Sequence, residues 1–137
     1  MKLIHDREKQ AEDSLTIMTE MVMTSHCNGS GRLFGGQLMS WMDIAGAICA
    51  KRHSECEVVT VSADELSFLK PALPNDVVII SAGLVSVGNT SMRVRVTAEI
   101  EIFSSEQKGE RVLTCTAYFV YVALDEQGIK CRVPRLK

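Results

Sequence analysis

The sequence lacks the features that a metal site or a disulfide framework requires. Its five cysteines are odd in number and include no CxxC pair, and its three histidines (His5, His26 and His53) show no metal-ligand spacing. We therefore expect neither a bound metal nor a disulfide framework. The cysteines are expected to be reduced and buried; they are Cys27, Cys49, Cys56, Cys115 and Cys131.

Strong net charge and a targeting segment are also missing. A formal net charge of -2 gives no general attraction to nucleic acid or to an anionic membrane. The first residues, MKLIHDREKQAEDS, carry charges and have no apolar core of the signal-peptide type. We therefore expect a cytoplasmic protein without a nucleic-acid or membrane partner. With 137 residues, 46% of them hydrophobic, the chain fits one globular domain over residues 1–137.

Nucleotide-binding and serine-hydrolase motifs are absent as well. The string GSGRLFGG suggests a phosphate-binding loop, but Gln37 and Leu38 follow Gly36 where that loop needs lysine and serine or threonine. A GxGxxG motif is excluded because Phe34 stands at the position of its last glycine. No GxSxG string is present, which excludes a serine nucleophile elbow.

One long apolar run is present, from Phe34 to about His53. It contains no proline and is too long for a strand, so it predicts a single helix of about 28 Å. A transmembrane span is the competing interpretation. Gln37, Ser40, Asp43 and three glycines interrupt the run, and no second such segment exists, which favours a buried helix.

After this run the hydrophobic pattern changes to period two, which predicts strands. A strand, a long helix and then strands with short links indicate an α+β fold, with an antiparallel sheet curled around the helix. The helix is expected to be apolar on all sides because the sheet covers it. The predicted strands are Ser14–Met23, Glu57–Leu69, Val77–Val87, Asn89–Phe103 and Arg111–Leu124.

Two glycines mark the start of the predicted helix. Gly35 and Gly36 lie where backbone N–H groups lack partners and the helix dipole is positive. Without side chains, they allow an oxygen to approach these donors closely, which suits a carbonyl oxygen that gains negative charge in a reaction. The other interpretation is that the glycines only permit a tight turn or close helix–sheet packing.

Asp43 is the only charged residue between Arg32 and Lys51. Its neighbours one helical turn away are mostly small, which predicts a groove beside the carboxylate. A general base or a nucleophile is one interpretation. A carboxylate that is hydrogen-bonded in the core or in a subunit contact is the other.

Several strings resemble one enzyme family. NGSGRLFGG at residues 28–36 and MSWMD at 39–43 resemble the N-x-x-G-x-(I/L)-F-G-G…M-D signature of hotdog-fold acyl-CoA thioesterases. This is the group of the broad-specificity bacterial acyl-CoA hydrolases and the cytosolic acyl-CoA hydrolases of animals. Weaker pieces follow in the same order, and the resemblance spans about Leu15 to Pro134. These pieces are VTVS at 59–62, Phe68, Pro71, VGNTSM at 87–92, AYF at 117–119 and ALD at 123–125.

The resemblance implies hydrolysis of a fatty or short-chain acyl-CoA to the acid and free coenzyme A, without a metal or redox cofactor. It implies that Asp43 activates water or attacks the thioester carbon, and that Gly36, with Gly35, donates N–H to the thioester oxygen. Asn28 is implied to orient water or substrate. One departure, Asn75 where the family more often has glycine, alters a turn and no catalytic residue.

Two related groups match less well. A group with His-Gly-Gly at the helix start has histidine where this chain has Phe34. Hotdog dehydratases combine a histidine with an acid on the helix, but His26 lacks their motif context. Hydrolysis is therefore the preferred interpretation.

The spacing of Gly36 and Asp43 bears on assembly. Seven residues of helix extend about 10.5 Å, whereas both groups must lie within about 3–3.5 Å of one thioester. Leaning of side chains toward the helix N-terminus closes only part of that gap. We therefore expect a homodimer whose subunits share each active site. The resemblance implies the same, with dimers commonly joined into hexamers.

Candidates for the coenzyme A end are cations and one turn. Lys70, Arg93 and Arg95 suit phosphates, and the turn Gly88-Asn89-Thr90 suits pantetheine or nucleotide. The alternative is that the strand cations are simply solvated. The basic tail has the same two interpretations: Lys130, Arg132, Arg135 and Lys137.

Two functions stay open at this point. The first is an acyl-CoA thioesterase. The second is a non-catalytic acyl-CoA sensor or scaffold on the same fold. Asp43 favours the thioesterase, because a binding module gains little from an acid beside a thioester.

Overall fold

The apolar run forms one α-helix, α1, which spans Gly35–Ser54. In the computed structural model, which describes residues 7–64 and 66–137, Phe34 is the residue before its first turn. The helix ends at Glu55, whose φ of 59° is left-handed and whose N–H donates to the carbonyl of Lys51. Basic residues in the last turn complement the negative end of the helix dipole.

Five strands form one antiparallel sheet in the order β2-β4-β5-β6-β3. The helix contacts all five of them, as the predicted α+β fold requires. Two-residue strands at the two ends of the described chain pair in parallel as a separate small sheet. The strands are β1 (Glu8–Lys9), β2 (Thr16–Met21), β3 (Glu57–Ala63), β4 (Val77–Val87), β5 (Ser91–Glu101), β6 (Arg111–Leu124) and β7 (Arg135–Leu136).

The central strand β5 has the predicted two faces. Alternate apolar residues from Met92 to Ile102 are buried against the helix, while Arg93 and Arg95 are exposed on the other face. Apolar residues of α1 complete this core. They include Leu38, Trp41, Met42, Ala45, Cys49 and Ala50.

The prediction that the sheet covers the helix on all sides is wrong for the single chain. Met39 is 43% exposed and Ile44 is 47% exposed, on the side of α1 that faces away from the sheet. A sheet of five strands reaches only one side of a straight helix. An apolar surface is therefore left along the other side.

Three strands differ in extent from the prediction. β5 is two residues shorter at each end than Asn89–Phe103. β2 is shorter at both ends than Ser14–Met23, because Ser14 ends a short 3-10 turn. β3 ends at Ala63 rather than Leu69, after a register shift between Thr60 and Ser62. Beyond that point Lys70 bonds through its N–H and its carbonyl to the hydroxyl of Thr114 instead of continuing the ladder.

A buried carboxylate organises the turn before β4. Asp76 is almost fully buried and accepts hydrogen bonds from the N–H groups of Leu73, Phe103 and Ser104. Burial alone would raise the pKa of Asp76, but these hydrogen bonds outweigh it and hold the pKa below its usual value. Asn75 beside it has a left-handed φ of 78°, a conformation that asparagine tolerates.

Residues 7–64 and 66–137 contain no disulfide, no metal-ligating cluster and no membrane-spanning helix. None of the five cysteines forms a disulfide, and Cys49, Cys115 and Cys131 are buried. No cluster of histidine, cysteine, aspartate and glutamate in these ranges has the make-up of a metal site. No helix in these ranges is long and apolar enough to cross a membrane.

Candidate active site

The first turn of α1 presents two open N–H groups. The carbonyl of Phe34 accepts the N–H groups of Gln37 at 3.0 Å and Leu38 at 3.2 Å. The backbone N–H groups of Gly35 and Gly36 have no acceptor within the described chain. The helix start can therefore donate to an external oxygen.

Both glycines also lie against aromatic rings. A Cβ atom on Gly35 would lie 2.7 Å from a ring atom of Phe68, and one on Gly36 would lie 2.6 Å from a ring atom of Phe34. The close-packing interpretation therefore holds as well. The two interpretations are compatible, because the rings contact the Cα atoms while the N–H groups stay open.

A cavity of about 270 Å³ opens beside the helix start. It brings together three of the predicted site residues, Asn28, Gly35 and Lys70. The side-chain oxygen of Asn28 accepts hydrogen bonds from Ser30 and from the N–H of Arg32, which fixes the loop. The amide nitrogen of Asn28 has no partner among the described residues, so it can donate into the cavity.

Asp43 is half-buried and its carboxylate is held by two hydroxyl groups. Its Oδ1 accepts the Thr60 hydroxyl at 2.8 Å and the Tyr121 hydroxyl at 3.0 Å. The Tyr121 hydroxyl also lies 2.9 Å from the backbone carbonyl of Asp43. No described residue bonds to Oδ2. The charge is therefore stabilised at one oxygen, and the other oxygen is available for chemistry.

Burial, together with the negative charge of Asp43, raises the pKa of Tyr121 well above its usual value. The phenol therefore stays protonated in the working range of an enzyme and acts as a donor. Its ring packs parallel to that of Phe119, with centroids 6.2 Å apart.

Sequence reasoning missed both hydroxyl donors. Thr60 on β3 and Tyr121 on β6 are directly opposite each other in the antiparallel ladder, so both side chains point to the same face of the sheet. The VTVS string contains Thr60, but a threonine in a strand has no distinctive pattern. Only the strand register could have identified the pair.

The carboxylate and the open N–H groups do not share a cavity in the single chain. The cavity beside Asn28 and Gly35 is lined by neither Asp43 nor Thr60. β3 is an edge strand of the sheet, and its Val59 and Val61 are exposed. In the single chain, the carboxylate therefore lies apart from the cavity at the helix start.

Most of the predicted coenzyme A residues lie away from the helix start. The carbonyls of Gly88 and Asn89 accept hydrogen bonds from Arg135, and Thr90 accepts the N–H of Ala123. This turn lies at the opposite end of β4 and β5 from the cavity residues Val78 and Ile100. Within one chain the turn anchors the C-terminal segment.

The two strand arginines lie on the outer face of the sheet. Arg93 stacks on the ring of Tyr118 at 4.0 Å, and Arg95 is exposed two residues further along. Only Lys70 among the predicted cations lines the cavity at the helix start. Phosphate binding by Arg93 and Arg95 stays a prediction.

His26 has a structural role in the loop before α1. Its Nδ1 accepts the N–H of Met23 at 3.0 Å, and its ring packs edge-on against Trp41 at 4.9 Å. These contacts fix the turn that leads to the helix start. They give no support to a histidine base of the dehydratase type.

Comparison with known proteins agrees with this fold. A family model described as the thioesterase superfamily matches residues 30–107. The acyl-CoA thioester hydrolase YciA of Escherichia coli (strain K12) is 38% identical, over 82% of this chain and 85% of its own. The acyl-CoA hydrolase of Staphylococcus aureus, solved in complex with butyryl coenzyme A and coenzyme A, superposes with a TM-score of 0.86. It is 31% identical over 95% of this chain and 77% of that chain.

A hexameric broad-specificity acyl-coenzyme A thioesterase superposes with a TM-score of 0.82 and 35% identity, over 93% of this chain and 85% of that one. Solved structures of the Staphylococcus aureus enzyme include single alanine variants of an asparagine, an aspartate and a threonine. Similarity of this extent over nearly the whole length, on the same fold, shows that the chain belongs to the thioesterase superfamily and, within it, to the hotdog-fold acyl-CoA thioester hydrolases.

Proposed function

We propose that this chain hydrolyses acyl-CoA thioesters with Asp43 as the acid that activates water or attacks the thioester carbon. One observation carries the proposal: two hydroxyls hold Oδ1 of Asp43, and Oδ2 has no partner within the described chain. A carboxylate fixed in this way can accept a proton from water or attack a carbon directly. Attack by Oδ2 on the thioester carbon breaks the C–S bond, releases coenzyme A and forms an acyl-enzyme anhydride that water then hydrolyses. If Asp43 instead takes a proton from water, the water attacks that carbon, coenzyme A leaves and no anhydride forms.

The open N–H groups of Gly35 and Gly36 supply the second requirement. During either route the thioester oxygen gains negative charge, and preformed donors stabilise that charge. The free amide nitrogen of Asn28 borders the same cavity and can orient water or the thioester. Lys70 at the cavity supplies a cation for a phosphate of coenzyme A.

Each complete site, in this proposal, takes Asp43 from one copy of the chain and the N–H groups from another. The edge strand β3, with its exposed Val59 and Val61, and the exposed apolar residues Met39 and Ile44 supply surface for such a dimer. The hexameric state of a similar thioesterase supports assembly of dimers into hexamers. A cytoplasmic location stays a prediction from the sequence.

The test is a thiol-release assay on the purified protein, with straight-chain acyl-CoA substrates from short to long. Asp43→Asn keeps the size of the side chain and should lower kcat by at least about 10²-fold, the scale of a general base. The melting temperature should stay close to that of the parent.

Asp125→Asn is a matched control, because Oδ1 of Asp125 also accepts two hydrogen bonds but lies in a turn beyond β6. We expect it to keep parental activity. A folded Asp43→Asn protein that hydrolyses acyl-CoA at the parental rate would make Asp43 structural. A parent protein that binds acyl-CoA but releases no thiol would favour the sensor or scaffold hypothesis.

A further inference from the structure

We infer that Tyr121 is a positioning residue that determines which oxygen of Asp43 faces the substrate. Gly46, which has no side chain, leaves the space that the Tyr121 hydroxyl occupies. The inference rests on the proposed role of Asp43 and adds two residues to it. Neither Tyr121 nor Gly46 touches the reacting atoms. Both act through the carboxylate.

The hydroxyl of Tyr121 fixes the rotation of the Asp43 side chain. It lies 3.0 Å from Oδ1 and 2.9 Å from the backbone carbonyl of the same residue. The hydroxyl of Thr60 approaches Oδ1 at 2.8 Å. With two donors on Oδ1, rotation of the carboxylate would break two hydrogen bonds, so Oδ2 stays directed away from the sheet.

Gly46 is what allows the phenol to reach this position. A Cβ atom on Gly46 would lie 2.2 Å from the Tyr121 hydroxyl oxygen and 3.0 Å from two of its ring carbons. Tyr121 is fully buried on a central part of β6, so its ring cannot turn aside. The absence of a side chain at residue 46 therefore makes room for the hydroxyl beside the helix.

The protonation state of the phenol suits this role. Desolvation and the Asp43 charge keep it neutral, so it donates without competing for the proton that Asp43 receives. Tyr121 thus holds the carboxylate in one orientation without taking part in the proton transfer.

Tyr121→Phe is the first test, because it removes only the hydroxyl. We expect kcat to fall by about tenfold, the scale of one hydrogen bond to a charged group, with little change in KM. The other tyrosine, Tyr118, lies on the outer face of the same strand, and Tyr118→Phe should change neither quantity.

Gly46→Ala is the second test and does not rely on removing the phenol. It should lower kcat in the parent. In a Tyr121→Phe background the same change should lower kcat much less, because the hydroxyl that it displaces is already absent. If the effects of the two changes on kcat are additive, Gly46 does not act by making room for the Tyr121 hydroxyl. A folded Tyr121→Phe protein with the parental kcat, while Asp43→Asn is inactive, would overturn the role of Tyr121. An active Asp43→Asn protein would instead reject the proposed function.

A separate observation concerns two cysteines at the other end of the helix. We propose that Cys56 and Cys131 form a disulfide when the protein meets a peroxide. Their sulfur atoms lie 3.3 Å apart, although the residues are 75 positions apart in the chain. Both line a solvent-open cavity of about 480 Å³ between the end of α1 and the segment after β6.

The other thiols are less suited to this reaction. Burial raises the pKa of Cys49 and of Cys115, which disfavours their reactive thiolate forms. Cys56 is only half-buried and borders the cavity, so a small oxidant can reach it. Peroxide oxidises its thiolate to a sulfenic acid, with release of hydroxide. The Cys131 thiol then attacks that sulfur, and the sulfur–sulfur bond forms as water leaves.

Peptide mapping without reduction, after hydrogen peroxide treatment of the full chain, tests this site. We expect a linked peptide pair that contains Cys56 and Cys131, and the loss of two thiols. In Cys131→Ser the reaction should stop at a sulfenic acid on Cys56, which dimedone traps, while Cys49→Ser should still give the linked pair. Oxidation of Cys56 to sulfinic acid in the parent without the linked pair would overturn the proposal, as would a different pairing.

Discussion

A mixture of two inactive variants tests how the active site is shared. Asp43→Asn removes the charged carboxylate, and Gly36→Pro removes one open N–H at the start of α1. Proline is tolerated in the first turn of a helix. The three atoms nearest to a Cβ atom at residue 36 all belong to the ring of Phe34, which is 56% exposed and can turn away. Both variants are therefore expected to fold and to lose activity.

The expected recovery follows from the geometry of α1. Gly36 and Asp43 lie seven residues apart on one helix, about 10.5 Å along its axis, and cannot both contact one thioester within about 3–3.5 Å. In an equal mixture, about half of the dimers pair the two variants, and each of these has one intact site and one doubly defective site. About a quarter of all sites, and hence about a quarter of the parental activity, should be recovered.

Co-expression with two different tags allows the mixed dimers to be isolated by successive affinity steps. Each mixed dimer should have about half the activity of a parental dimer, because one of its two sites works. Asp43→Asn carrying both tags is the control for the tags and the purification. Activity of mixed dimers no higher than the sum of the separate variants would refute the shared site and return both groups to one subunit.

The core of the fold could be predicted because its signals are local. Alternation in β5 and the unbroken apolar run of α1 each identify an element from its own residues. The two-residue strands β1 and β7 have no period to detect, and β3 ends at Ala63, shortly after a register shift in its pairing with β6. Such endings depend on the partner strand and were therefore missed.

The candidate site divides in the same way. Asp43 could be found because a lone acid in an apolar run is unusual, and Gly35 and Gly36 because they precede that run. Thr60 and Tyr121 are ordinary strand residues until the β3–β6 register brings their hydroxyls to one carboxylate oxygen. The exposed apolar side of α1 escaped prediction because a hydrophobic helix has the same sequence whether a sheet or a second subunit covers it.

Two further predictions concern stability and its dependence on pH. The buried side chain of His53 forms a hydrogen bond between its Nε2 and the carbonyl of Pro134. Burial lowers the pKa of this histidine. The unfolded chain therefore binds more protons below about pH 6.5, so the free energy of unfolding should fall as pH drops from that value toward the folded pKa. In His53→Gln, the free energy of unfolding, measured with urea at several pH values, should fall less steeply as the pH drops. A pH dependence as steep as that of the parent would contradict this prediction. The pKa of Asp76 is lowered in the folded protein. Its contribution to the free energy of unfolding is therefore present at pH values above the pKa of the unfolded state, and it is lost as the pH falls through the pKa of the folded state. Asp76→Asn places an amide against the N–H groups of Phe103 and Ser104 or of Leu73, and should lower the free energy of unfolding at neutral pH by about 1–3 kcal/mol. The parent loses this contribution in acid, and the variant never has it. The free energies of unfolding of the two proteins should therefore converge at low pH. A difference that stays constant down to acid pH would show that packing, not the charge of Asp76, stabilises the turn.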